Sequence, residues 1–411
     1  MPGKSNNNKG VIVMTKSILK ALLLTTALGW SLPAMADVKI GLVGGITGAT
    51  SGLAPEMYKA YNLAVAQVNE QGGILDGQKF EGVVADDGCN AQTGVDAVTK
   101  AVNVSQVIAL AGPWCSGVVL AVSNAVAIPA GVMVVTPAGT SPAITTLADK
   151  GLVFRTVPSD EYQGQVLART MLARGTKKIA VAYVNNDYGK GFADAFRKEY
   201  EAKGGTIAGF AGHEENRASY RSDLAALAAK GADTLLLIDL GDTSGLTMLR
   251  ESIENDFFKT YVGGEGMKSA QTIKAIGAKN LQNFFVSSPV SQQSDALAHF
   301  SSAFKAAGGD PNAVFTATSY DAVFMLALAI EAAKGNKAAM PAAFVALTAG
   351  KGEPILPGEW SKAKALLDAG KPIDYKGASG SLAFDANGDV PGAYALFKVG
   401  ASDYEFVSDM K

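Results

Sequence analysis

From Val38 onward, short β-rich apolar runs alternate with longer stretches whose apolar positions recur at helical spacing. Val38 to Val43 reads as a strand, and Glu56 to Gln71 then sets Met57, Tyr61, Ala64, Val65 and Val68 on one helical face, closed by Gly72-Gly73. Strands are predicted at 80–85, 107–111 and 132–136, with helices at 93–104 and 116–127 between them. The rhythm restarts after Phe154-Arg155-Thr156. Helices are expected at 161–174, 191–203, 220–229 and 246–254, and strands at 179–184, 206–210, 234–238, 261–263 and 284–286. Strand–helix alternation of this kind predicts parallel sheets covered by helices, here in two α/β units of similar build. Thr318 to Lys334 reads as a buried, mostly apolar helix. Residues 350–380, rich in Gly, Lys and Pro around Trp360, read as a loop-heavy insertion. Two final strands are expected at 382–385 and 394–399.

The first residues follow a different pattern. Lys16 and Lys20 stand at the head of the short apolar run Ala21–Leu28, and Ala34-Met35-Ala36 supplies a small-residue exit. This is the layout of a secretory signal peptide, with cleavage expected after Ala36 and Met14 preferred as initiator over an upstream stretch 1–13. The apolar run falls far short of the ~18 residues that suggest a spanning helix. Removing 1–36 takes four lysines and no acid from 36 basic and 38 acidic side chains, leaving a net charge of about −6. Such a chain has no positive field to collect a polyanion, so nucleic-acid binding as the main task is excluded. Two histidines and two cysteines, none in a zinc-binding spacing, leave no basis for a metal centre, and no cofactor is expected. In an exported chain the even pair Cys89 and Cys115 reads by default as a disulfide. The competing reading, a reactive thiol beside a bystander, lacks a nearby histidine to serve as base.

Ligands of open α/β sheets collect at the carboxyl ends of the strands. In the first unit those ends carry Gly44–Gly52, Gly112–Gly117 and Thr136–Pro142, rich in glycine and hydroxyls, with Ser116 opening a helix. They are equipped to hold a carboxylate without an arginine. Each loop is equally readable alone as an ordinary strand-to-helix turn. Gly41-x-x-Gly44-Gly45-x-x-Gly48 misses the dinucleotide fingerprint because position 43 is Val. In the second unit the ends carry Asn185–Gly189, Asp239–Asp242 and Gly264-Glu265-Gly266. Acids and an aromatic ring suit an ammonium group. The aspartates also fit as helix caps, a role that Glu265 between glycines does not share.

Asn69–Gly73, Asp86–Cys89, Cys115-Ser116, Thr136–Pro142, Asp187–Gly191, Gly264–Gly266 and Phe384–Asp389 occur in an order and spacing that resemble the periplasmic branched-chain amino-acid binding proteins of ABC importers, over essentially all of 37–411. The resemblance implies the type I periplasmic binding protein fold: two Rossmann-like lobes with parallel-sheet cores, joined by three crossovers near 155–160, 286–290 and 376–392. The lobes are expected as 37–156 with 288–378, and 157–287 with 379–411, closing on the ligand by a hinge. It also implies that Ser116 and Ala138-Gly139-Thr140 hold the ligand carboxylate, that Tyr188 and Glu265 serve its amino group, and that Cys89 pairs with Cys115.

The chain departs from the family pattern at three places. The aromatic expected in the first loop has no match among Thr50–Pro55, leaving Trp114 to supply that wall. Gly241-Asp242 places a carboxylate where a family tyrosine is expected. The segment 350–380 is longer than in typical members. The resulting expectation is a monomeric periplasmic receptor for a branched-chain or other neutral amino acid, delivering it to membrane permease subunits. An aromatic acid or amide ligand, or a sensory output, is the alternative. No activated nucleophile supports an enzyme.

Overall fold

The computed structural model describes Gly10 and residues 37–411, so the expected export segment lies, Gly10 apart, outside the described residues. Residues 37–411 form one compact unit. Its first sheet contains β1 (Val38–Gly44), β2 (Phe80–Asp86), β3 (Ala109–Ala111), β4 (Met133–Thr136) and β5 (Val153–Arg155) in the order β2-β1-β3-β4-β5. All its pairings are parallel. The second sheet contains β6 (Lys178–Val184), β7 (Thr206–His213), β8 (Thr234–Ile238), β9 (Thr260–Gly263) and β10 (Phe284–Pro289). After the small parallel pair β11 (Glu353–Ile355) and β12 (Ile373–Tyr375), strand β13 (Tyr394–Val399) joins β10 antiparallel and β14 (Tyr404–Met410) pairs antiparallel with β13, giving β14-β13-β10-β9-β8-β6-β7.

Burial explains the elements. β8 (TLLLI) is buried at every position, as a central parallel strand must be. Helix Ala54–Glu70 buries Met57, Ala60, Tyr61, Ala64 and Val68 along one stripe and ends where Gly72 and Gly73 take positive φ. Helix Thr316–Ala332 is apolar all round and buried almost throughout, so it forms the centre of the first body rather than its surface.

Three segments differ from the sequence expectation. Residues 350–380 are packed structure, not a loop-heavy insertion: Ile355, Trp360, Ala363, Ile373 and Tyr375 lie in the first core, and the Trp360 indole donates to the Gly73 carbonyl at 2.9 Å. Buried Asp321 anchors the end of this segment by accepting from the Tyr375 hydroxyl, the Ala378 and Ser379 N–H groups and the Ser379 hydroxyl at 2.6–3.0 Å. Residues 382–385 form no strand and lead into a turn at 386–388, where the Asp385 carboxylate accepts the N–H groups of Asn387 and Asp389. Helix Asp187–Ala202 begins ahead of the expected Gly191, since the Asn186 side chain caps it by accepting from Gly189 N–H. Tyr188 therefore sits in a helical first turn.

The chain passes three times between the two sheet bodies: after Arg155, after Pro289 and after Val390. Leu382 and Val390 pack in the first core, so the third passage falls beyond the division expected at 378/379. The first and third passages are fastened together. The wholly buried Arg155 donates Nε–H to Asp389 Oδ1 at 2.6 Å, Nη1–H to the carbonyls of Thr140 and Ser141 at 3.0 and 3.1 Å, and Nη2–H to Thr145 Oγ1. Removing one partner of such a buried pair costs about 3–5 kcal/mol because the other charge stays behind. Asp389→Ala is therefore expected to lose about that much stability in urea unfolding; a loss below about 1 kcal/mol contradicts this reading.

Candidate functional site

The first body brings its loops together through hydroxyls. Ser116, the first residue of a helix that continues through a π-turn to Ala130, is buried, and its Oγ accepts the Ser141 N–H at 3.2 Å. Cys115 caps this helix and is disulfide-bonded to Cys89 with Cα atoms 5.5 Å apart, tying the loop after β2 to the loop after β3. Thr136 Oγ accepts the N–H groups of Ala138 and Gly139 at 3.4 and 2.8 Å and donates to the Pro113 carbonyl at 2.6 Å. Those two amides are thus directed inward. Thr140, whose carbonyl is gripped by Arg155 and by the Asp160 N–H at 2.9 Å, is the remaining buried donor residue of the loop.

Trp114 does not supply the expected wall. Its ring is 2% exposed, lies flat over Gly44, packs 5.1 Å from the Tyr58 ring and donates its indole N–H to the Tyr61 hydroxyl at 2.9 Å. It belongs to the core beneath the loop. Neighbouring Asp87 is also buried, its carboxyl pushed up to about 6 by burial and then by the charge of Asp86.

In the second body Glu265 follows β9 and is 3% exposed. Its Oε2 accepts from Gln163 Nε2 at 2.7 Å, and the same amide donates to Ser287 Oγ at 3.0 Å. Tyr188 enters from the helix after β6, and glycines flank Glu265 to admit it: a Cβ on Gly264 or Gly266 would stand 3.0 or 3.1 Å from its hydroxyl, and 2.7 Å from Phe192 or the Asp239 carbonyl. Sequence reasoning missed Asp160 and Gln163, which the first passage and its helix bring to Glu265. The signal was available, because Ser159 is the natural cap of that helix and makes Asp160 its first residue. An acid there reads as a favourable helix-start charge, which hides its second use.

This cluster is electrostatically incomplete. Gln163 Oε1 is buried without a hydrogen-bond partner, and the buried Asp160 carboxyl and Tyr188 hydroxyl have beside them only the Thr140 hydroxyl and the Glu265 carboxyl, at poor hydrogen-bond geometry. Burial, and next the charge of Glu265, hold the Asp160 carboxyl well above the ordinary range; burial raises Glu265, and burial with both acids raises Tyr188. Native proteins leave few such groups unmatched, so a cluster of them at one point marks a place for a donor.

The bodies also meet on either side of this cluster. Ser141 Oγ–H donates to the Asp187 carbonyl at 2.9 Å, and Pro142 packs on Gly191. Elsewhere Asp242, after β8, reaches Gly52 of the first body while its Oδ1 accepts from Ser269 Oγ. The two sheet bodies thus touch at Ser141–Asp187, Pro142–Gly191 and Gly52–Asp242.

This fold and this arrangement define a two-lobed binding protein. Residues 37–402 match the periplasmic binding protein family, and the chain belongs to it. It is 27% identical to a leucine-, isoleucine-, valine-, threonine- and alanine-binding protein of Pseudomonas aeruginosa over 86% of this chain and 87% of that protein. It is 30% identical to a Leu/Ile/Val-binding protein of Rhizobium johnstonii over 84% of this chain and 92% of that one. In structure it is similar to a leucine-binding protein from Thermotoga maritima, with a TM-score of 0.78, 20% identity and coverage of 91% and 99%.

The raised carboxyls have a consequence for stability. Between their unfolded values near 4 and their higher folded values, the folded chain holds more protons than the unfolded chain. Stability of the ligand-free protein is therefore expected to fall as pH rises through that window, with Asp87 adding to the slope. Glu265→Gln is expected to flatten the fall in urea unfolding curves collected from pH 4 to 8; an unchanged slope contradicts the assignment of charge to this cluster.

Proposed function

We propose that this chain is an exported receptor that captures a neutral α-amino acid, branched-chain or of similar size, between its two lobes and delivers it to an ABC importer. The observation that carries this reading is the pair of buried carboxyls, Asp160 and Glu265, which form no ion pair among the described residues, with the Thr140 hydroxyl beside Asp160 and buried Ser116 in the other lobe. An ammonium group between Asp160, Glu265 and Tyr188 supplies the missing donors and charge. The ligand carboxylate then meets the Ser116 and Thr140 hydroxyls and the first N–H groups of the Ser116 helix. The names of the amino-acid-binding relatives support the same ligand class.

Function on this reading comes from closure. The lobes turn about the three passages, and the Ser141–Asp187 and Gly52–Asp242 contacts form as they meet. The closed monomer is what the permease subunits recognise. Export follows from the segment ending at Ala36, so capture takes place in the periplasm.

Truncating a buried charged partner of the ligand costs about 2–5 kcal/mol. Titration calorimetry with the best ligand of an amino-acid panel is therefore expected to show Glu265→Ala and Ser116→Ala weakened by at least ~30-fold while their far-ultraviolet circular dichroism matches the parent. Parent-like affinity in Glu265→Ala, or tight binding only of ligands without an amino group, overturns the proposal.

A further inference from the structure

A zwitterion held between Asp160–Glu265 and Ser116–Thr140 has few directions left for its side chain, and this argument rests on that reading. One flank of the cleft is closed by the Ser141–Asp187 hydrogen bond and by Pro142 on Gly191. The end at the first passage is filled by Asp160, Gln163 and Glu265. The strand orders place the loop after β1 and the loop after β8 beside these groups, and they meet at Gly52 and Asp242. The ligand side chain runs toward that meeting.

Asp242 arrives there as an underused acceptor. Its Oδ1 takes the Ser269 hydroxyl, whereas its Oδ2 accepts no hydrogen bond among the described residues and lies so close over Gly52 that a Cβ on that glycine would be 1.8 Å away. No Lys, Arg or His among the described residues forms an ion pair with it. The facing loop does not satisfy it either. Thr47 Oγ–H donates to Asp86 and Thr50 Oγ–H to the Gly45 carbonyl, and the third hydroxyl of the loop, on exposed Ser51, makes no hydrogen bond to Asp242. No aromatic ring occurs between Gly45 and Gly52 to offer an apolar surface.

We propose that Asp242 is the specificity-determining residue of this site, and that among neutral α-amino acids of this size it selects those whose side chains end in a hydrogen-bond donor, a hydroxyl or an amide. A purely aliphatic side chain brought against the free oxygen strips water from a carboxylate and returns nothing. A donor replaces the lost water directly. Sites built around a hydrogen bond discriminate sharply against analogues that lack it, since their own polar group is left unpaired. Gly52 fits the same logic, because any larger residue there would displace the carboxylate.

The test is a calorimetric panel of leucine, valine, threonine, serine, asparagine and glutamine, with benzoate added, on the full mature chain. The parent is expected to bind its best donor-ended amino acid at least ~10-fold more tightly than leucine. Asp242→Leu, at a half-exposed loop position, is expected to bind leucine more tightly than the parent does and to reverse the ranking. Asp242→Asn, which keeps the shape, is expected to reduce the preference without reversing it. Leucine or valine heading the parent's ranking, or a ranking unchanged in both variants, overturns this inference while leaving the zwitterion site standing. Binding of benzoate with no amino acid bound removes both.

Discussion

Two carboxyl groups buried at the point where the lobes join, neither in an ion pair among the described residues and only Asp160 feeling a nearby cation, Arg155, are the constraint on which this structure turns. An uncompensated carboxylate in a protein interior costs several kcal/mol, and a second one close by raises the cost. Burial favours the protonated forms of Asp160 and Glu265 in the ligand-free chain. An ammonium group removes that preference. Asp160 stands at the end of the first passage between lobes, and Glu265 on the loop after β9 that meets it, so the charge of this pair sits where the chain crosses.

The scaffold around this point is correspondingly stiff. Arg155 grips the carbonyls of Thr140 and Ser141 and is itself held by Asp389, so the loop that faces the ligand is fixed from behind by the crossover segments. The Thr136 hydroxyl turns the neighbouring amides inward, and the Cys89–Cys115 bond secures the start of the Ser116 helix. This loop and the helix start are thereby held in place by the protein's own bonds. Preorganisation of this kind spares the binding step the entropy of ordering the loop.

Much of this was legible in the chain. Strand–helix alternation gave the two sheet bodies, and Gly264-Glu265-Gly266 stood out because an acid between glycines has no capping role. What stayed hidden depended on tertiary packing. Trp114 reads as a cleft aromatic until the bare Gly44 and the Tyr61 hydroxyl are seen to draw it into the core. Residues 350–380 read as loop because their Gly, Lys and Pro content masks Trp360 and Tyr375, whose burial depends on Gly73 and Asp321 far away in sequence. Asp160 and Gln163 fall in a helix start of ordinary composition, and only the passage between lobes gives them their neighbours. Strand β14 escaped notice for a related reason: it is an edge strand with exposed Glu405 and Phe406, so its apolar alternation is weak.

The most direct test follows the carboxyl groups themselves. Carbon-13 NMR titration of Asp160 and Glu265, assigned with the Asp160→Asn and Glu265→Gln variants, reports their protonation with and without a saturating amino acid. Both groups are expected to titrate above the ordinary carboxylate range in the free protein and to drop when the ligand binds. Titration at ordinary values in the free protein, or values that ligand leaves where they were, contradicts the account.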